Sequence, residues 1–328
     1  MSDIQVNRKG ERMMLSADVS ETEACLACYT EHDGGELTQN WREFLYCPFV
    51  RVFGDKYPYM TDRFSEMSMF MDYVVSLAKM HGIDGPLTVT MANQIRSPDN
   101  AERIMQMAAE RGMELFLVNQ CVADMYSAGR VPGNRDLVID QRYVFLNAAE
   151  VDSSGPSRVV NAHVSNYGWK RPYKLLCDIM GAAVMGAEKC LGKRMKGWLT
   201  DVERIARDSM DGILRSRQDT YSIVRGREKI EVEVPWELLN TVIPGKSARM
   251  IRSGMSEDAI IPAERLLSAD RVIIAGSSPS LGLLYDKIVY SLPELKDRII
   301  LNETWNGTLL GAARYGLEKE EQETGSTE

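Results

Sequence analysis

Apolar positions along this chain cluster into short runs that alternate with longer amphipathic stretches. Residues 13–18 form an apolar run ending in Asp18, and after a short polar turn residues 24–29 are apolar again. Residues 137–140 repeat the pattern with Asp140 at the end, followed by a polar turn and the apolar run 144–149. Each pair predicts a hairpin whose first strand ends in an aspartate.

A second unit also recurs. Residues 87–91 predict a strand, Ser97-Pro98 opens a helix to about Arg111, and Gly112 ends it. Residues 114–118 predict a strand, and 120–128 a helix stopped by Gly129. The order returns with a strand at 271–275 and a helix from Ser278-Pro279 to about Ser291. A strand at 298–301 and a helix at 305–315, stopped by Gly316, complete it. Strands alternating with helices imply parallel pairing and an α/β layer architecture. The doubled order, with matched Ser-Pro helix starts and strand-end aspartates, implies two related lobes.

Between the repeats lies a mainly helical stretch. Residues 173–191 read as a buried helix, and 199–217 place Val202, Ile205, Ala206, Met210, Ile213 and Leu214 on one helical face. Residues 230–234 alternate strictly and predict a half-exposed strand ended by Pro235, with Gly226–Lys229 as a hairpin turn. The segment 167–173 mixes aromatic and basic residues and reads as a structured loop. The tail 318–328 is highly charged and reads as a disordered acidic end.

Composition narrows the classes. The 328 residues correspond to about two domains, and with 44% hydrophobic and 26% charged residues they exclude global disorder. The formal charge of -8 argues against nucleic acid as a direct ligand and against an anionic membrane surface. No apolar run approaches the ~18 residues of a spanning helix, and the N-terminus has no apolar signal segment; the expectation is a cytoplasmic protein. The six cysteines read as reduced. Cys25 and Cys28 form a C-x-x-C on a predicted strand, where they face opposite sides. His32, His81 and His163 are scattered, so neither cysteine nor histidine chemistry stands out.

Four segments carry a resemblance to a known family. They are Leu115-Phe-Leu-Val-Asn-Gln-Cys-Val-Ala-Asp-Met-Tyr-Ser-Ala-Gly-Arg130, the helix start Ile95-Arg-Ser-Pro-Asp-Asn-Ala-Glu-Arg-Ile-Met-Gln-Met107, the turn after Val272-Ile-Ile-Ala275, and Trp305-Asn-Gly-Thr-Leu-Leu-Gly311. In this order, over about residues 12–317, the chain resembles the actin-like ATPase superfamily, which includes actins, bacterial ParM-like filament proteins and 70-kDa heat-shock chaperones. The resemblance implies an α/β fold of two ribonuclease-H-like lobes with a nucleotide cleft between them. Lobe I would span 1–130, completed by a C-terminal helix at about 304–317. Lobe II would span 131–303, with a helical insertion at about 173–265. It implies ATP and Mg²⁺ as cofactors, with Asp18 and Asp140 as the metal-holding carboxylates. Gln120 and Asp140 would be the catalytic residues, Gln120 orienting the attacking water. Gly276, Ser277 and Ser278 would form the adenosine-side turn. Self-association into filaments, or a protein partner switched by nucleotide, would be the output.

The chain departs from the family at the phosphate turns. A phosphate cradle needs backbone N–H groups free to approach closely, which glycine allows. The first turn, 18–24, has no glycine and carries Glu21 and Glu23; the second, 140–144, carries Arg142 and Tyr143. Two accounts follow. In one, Ser20, Thr22 and Arg142 replace the missing backbone donors, and nucleotide binding survives. In the other, the chain is a non-catalytic actin-fold scaffold, a pseudo-ATPase. A third reading, a small-molecule kinase of the same superfamily, casts Asp140 as the base for a substrate hydroxyl, without the usual glycine-rich surroundings.

Overall fold

A computed structural model describes residues 12–19, 23–32, 35–46, 64–83, 85–91, 98–142, 145–165, 168–216, 219–234, 263–278, 281–302 and 307–325. By contacts the chain divides into two compact units. The first comprises Met1–Val138, Ala149–Ala162 and Thr304–Glu328, the second Ile139–Ala148 and His163–Glu303.

The first sheet contains β1 (Arg12–Val19), β2 (Glu23–His32), β3 (Glu36–Tyr46), β4 (Leu87–Met91) and β5 (Leu115–Asn119), in the order β3-β2-β1-β4-β5. β1 pairs antiparallel with β2, and β2 with β3, whereas β1–β4 and β4–β5 are parallel. Helices α1 (Phe64–His81), α2 (Pro98–Ala109) and α3 (Gln120–Ser127) are interleaved with these strands.

The second sheet contains β6 (Arg135–Gln141), β7 (Leu146–Asp152), β8 (Arg158–Ser165), β11 (Arg271–Ala275) and β12 (Ile299–Leu301). Its order is β8-β7-β6-β11-β12, which repeats the first sheet strand for strand. Both are mixed sheets in an α/β arrangement. The remaining elements are α4 (Lys170–Gly186), α5 (Glu188–Leu191), α6 (Met195–Ser216), the hairpin β9 (Thr220–Arg225) and β10 (Glu228–Glu233), α7 (Ala263–Ser268), α8 (Leu281–Ser291) and α9 (Gly307–Gly325). No helix of the described residues is long and apolar enough to cross a membrane.

In the first sheet both faces are covered. Leu15, Ala17, Val19, Leu26 and Cys28 pack with Met71, Val74, Leu77 and Ala78 of α1 and Ile104 of α2. On the opposite face Cys25, Ala27 and Tyr29 pack with Leu309 and Ala313 of α9. Burial on both faces is why β1 reads as a nearly continuous apolar run rather than an alternating one. It also settles the C-x-x-C: Cys25 and Cys28 belong to the cores on opposite faces of the sheet, and neither is in a disulfide. Burial raises the pKa of Cys28, the reverse of an activated thiol.

A further core, in the second unit, joins α4 and α6 to the β9–β10 hairpin. Trp198, Val202, Ile205, Ala206 and Ile213 line one stripe of α6, and Ile230, Val232 and Val234 face them from the hairpin. Met210 and Leu214 lie where side chains are outside the described residues. Gly226 takes φ 64° in the tight turn between β9 and β10, a conformation open to glycine.

The structure differs from the sequence reading at several places. Each hairpin is a three-stranded meander: β3 and β8 follow β2 and β7. Both are edge strands with mostly exposed residues, so neither carries the apolar alternation that marks a half-buried strand. The segment 167–173 is not a loop over its whole length, because α4 begins at Lys170 and both Trp169 and Tyr173 are buried in the α4–α6 core. Their rings meet edge to face at 6.0 Å.

The final helix does not stop at Gly316. It runs to Gly325, through most of the segment expected to be a disordered tail. Ion pairs hold it: Arg12 with Glu320, and Arg130 with Glu318, while Gln322 donates to Glu318 one turn back. Gly316 has a packing role, since a Cβ there would lie 2.3 Å from the Thr88 hydroxyl on β4.

Candidate functional site

Parallel pairing of β1 and β4 puts Asp18 beside Thr90. Alternation along the two strands turns Ser16, Asp18, Thr88 and Thr90 away from the face packed by α1 and α2. The hydroxyl of Thr90 donates to Asp18 Oδ1. Gln120, the first residue of α3, donates from Nε2 to the same oxygen at 2.9 Å and to the carbonyl of Val19 at 3.2 Å. Asn119 caps this helix: its side-chain oxygen accepts from the Cys121 amide at 2.9 Å, a stabilising arrangement at a helix start. Two residues 102 positions apart, Asp18 and Gln120, are thus joined directly.

One atom of this group is left without a partner among the described residues. Gln120 is 1% exposed, and its Oε1 finds no hydrogen-bond partner among the described residues. The same holds for the hydroxyls of Ser16, Thr88 and Tyr29. Buried polar atoms are nearly always paired, so Gln120 Oε1, beside Asp18, marks a place where water or a polar ligand completes the bonding.

The second unit has its own strand-end aspartate. Asp140, fully buried on β6, accepts from Arg142 Nε at 2.6 Å, and Arg142 is itself 3% exposed. Asn147 of β7 approaches the other carboxylate oxygen at 3.4 Å. The neighbouring strand β11 ends at Ala275 and is followed by Gly276, which adopts φ 116°. A Cβ there would lie 2.3 Å from the Gln141 carbonyl and 2.6 Å from Asp140 Oδ1, so only glycine lets this turn approach the end of β6. Ser277 is half-buried and Ser278 buried in the same turn.

Among the residues expected from the sequence, the structure therefore joins Asp18 with Gln120, and Asp140 with Arg142 and Gly276. Ser20, Thr22, Glu21 and Tyr143 lie outside the described residues. Thr90 and Asn147 were not singled out by sequence reasoning. The signal for Thr90 was present, as Thr88 and Thr90 occupy one face of an otherwise apolar strand.

The two aspartates differ as cation ligands. Asp18 offers a hard carboxylate oxygen held by two neutral donors, which suits a hydrated Mg²⁺. Asp140 already faces the positive charge of Arg142, so it does not fit the same task without displacement of that side chain. Among the described residues no group of three or more His, Cys, Asp or Glu side chains gathers as a metal cage. A scan against known protein families and a search of curated proteins found no match to this chain.

Proposed function

We propose that this chain is a divergent actin-like nucleotide-binding protein that self-associates, with Asp18 and Gln120 at the centre of its nucleotide site. The observation that carries the reading is the hydrogen bond from Gln120 to Asp18. The resemblance implies these two residues as metal-side carboxylate and water-positioning amide. They are far apart in sequence yet directly bonded, with one amide oxygen of Gln120 left for a further donor. The shared sheet order, β3-β2-β1-β4-β5 against β8-β7-β6-β11-β12, supports reading both sheets as ribonuclease-H-like.

In this reading Mg²⁺ would supply electrostatic neutralisation of the phosphates. The protein's part is to hold Asp18 through Thr90 and Gln120. Gln120 would orient a water through its Oε1. The reading is tested by phosphate release in Mg-ATP. Wild-type protein should turn over slowly, and Gln120→Ala should lower turnover at least tenfold while ATP still binds. Equal turnover in the two proteins would remove Gln120 from the chemistry.

A second reading is a non-catalytic scaffold of the same fold. The ion pair between Asp140 and Arg142 favours it, because it occupies the carboxylate that hydrolysis would use. No measurable binding of Mg-ATP by calorimetry, with self-association persisting, is the outcome this reading expects.

A further inference from the structure

We infer that Thr90 is a positioning residue whose hydroxyl sets the affinity of the candidate site for Mg²⁺ by fixing the orientation of the Asp18 carboxylate. The inference rests on the nucleotide reading above and names the residue that controls its cation step.

Asp18 and Thr90 are register partners on the parallel strands β1 and β4, and register partners share a face of the sheet. Thr90 is fully buried, so it acts through Asp18 and not on a ligand itself. Asp18 Oδ1 accepts from the Thr90 hydroxyl and, at 2.9 Å, from Gln120 Nε2. The two donors differ in stiffness. Threonine is branched at Cβ, which restricts its one torsion and the directions its hydroxyl can take. Thr90 also sits on β4, between β1 and β5 in the sheet. Gln120 reaches the same oxygen through a longer, unbranched side chain from the start of α3. Thr90 is therefore the rigid anchor of that oxygen.

Thr88 supplies the comparison. It lies two residues earlier on the same strand and face, is equally buried, and its hydroxyl finds no partner among the described residues. Its surroundings are set by packing, since a Cβ on Gly316 would lie 2.3 Å from Thr88 Oγ1. A buried hydroxyl without a partner adds nothing to stability, whereas one donated to a carboxylate makes a charge-assisted bond that water does not replace in a closed interior. Two threonines of one strand thus have different tasks, and the register tells them apart.

Mg²⁺ demands a near-ideal octahedral arrangement of oxygens, so a carboxylate that serves it must keep one orientation. Without the Thr90 hydroxyl, Oδ1 loses the stiffer of these two donors and the carboxylate is free to turn. Loss of a residue that orients a cation's carboxylate lowers metal affinity about tenfold or more.

The test is calorimetry of ATP binding to the full chain across a series of Mg²⁺ concentrations. Thr90→Val keeps the side-chain shape and removes the hydroxyl, and should raise the Mg²⁺ concentration at half-saturation about tenfold. Thr90→Ala also lacks the hydroxyl and should shift the midpoint the same way, which keeps the test open should the valine variant misfold. Thr90→Ser keeps the hydroxyl and should restore most of the wild-type midpoint. Thr88→Val should stay at the wild-type midpoint. A Thr90→Val midpoint equal to the wild type, an equal shift in Thr88→Val, or a shift that Thr90→Ser fails to relieve would overturn the inference. Where the wild type binds Mg-ATP and Thr90→Val matches it, the role of Thr90 alone falls. Where the wild type binds no Mg-ATP, the nucleotide reading falls and this inference with it.

Discussion

Arg142 and Asp140 show what a buried charge requires. Both side chains are almost without solvent contact, and the guanidinium lies 2.6 Å from the carboxylate. Removing one partner strands the other charge in a medium that solvates it poorly. Arg142→Met should therefore cost about 3–5 kcal/mol in chemical denaturation. The double variant Asp140→Asn, Arg142→Met should recover most of that loss. A single variant as stable as the wild type would mean that the pair contributes nothing.

Tyrosines give a second prediction at this scale. Burial, then the Glu43 carboxylate that accepts its hydroxyl at 2.5 Å, pushes Tyr73 up to about 12. Burial is also the main cause that raises Tyr126 to about 12, and it raises Tyr29 further. An unfolded tyrosine releases its proton near pH 10. Between about pH 10 and 12 the unfolded chain has lost these protons while the folded one keeps them, so stability falls as pH rises. Denaturation midpoints should be flat from pH 8 to about 9.5 and then decline. Absorbance at 295 nm should show a set of tyrosines ionising only with unfolding. Full ionisation near pH 10 with the fold intact would contradict the assigned burial.

At the scale of elements, the packing of α3 against α9 depends on Gly311. A Cβ there would fall 1.7 Å from the carbonyl oxygen of Ala123, which is backbone and cannot swing aside. Gly311→Ala should therefore destabilise by more than about 2 kcal/mol, overriding the ~1 kcal/mol that alanine gains in a helix. Gly181 in α4 has open space around its would-be Cβ, so Gly181→Ala should be neutral or stabilising by up to about 1 kcal/mol. Thermal melts of the two variants compare them directly; matched gains would show that helix propensity alone is being read.

Elements were legible where burial writes a pattern. β1 and β11 are buried and read as nearly continuous apolar runs, and α6 shows its stripe at Val202, Ile205, Ala206 and Ile213. The edge strands β3 and β8 have exposed side chains and leave no such pattern. The end of α9 was misread because Gly316 looks like a helix stop, whereas here it lets the helix approach Thr88. The charged residues beyond it look like a solvated tail, but their ion pairs with Arg12 and Arg130 can be seen only in three dimensions. At the candidate site, Asp18 and Gln120 were legible through a resemblance, while Thr90 required the strand register. The engagement of Arg142 with Asp140 was not legible, because a turn arginine two residues after an aspartate faces it only if the turn folds back.

At the scale of the molecule, the repeated sheet order gives each sheet a first strand with an aspartate near its end. Asp18 rests on neutral donors, and Asp140 on a cation. Asp18 accepts from Thr90 and Gln120 and Asp140 accepts from Arg142, and the nucleotide reading leans on the first. The most direct test of that reading is titration calorimetry of Mg-ATP into the full-length protein and its Asp18→Ala variant. The account predicts a saturable isotherm for the wild type that is lost in Asp18→Ala while circular dichroism stays unchanged. No binding to the wild type, or equal binding to both, would contradict it.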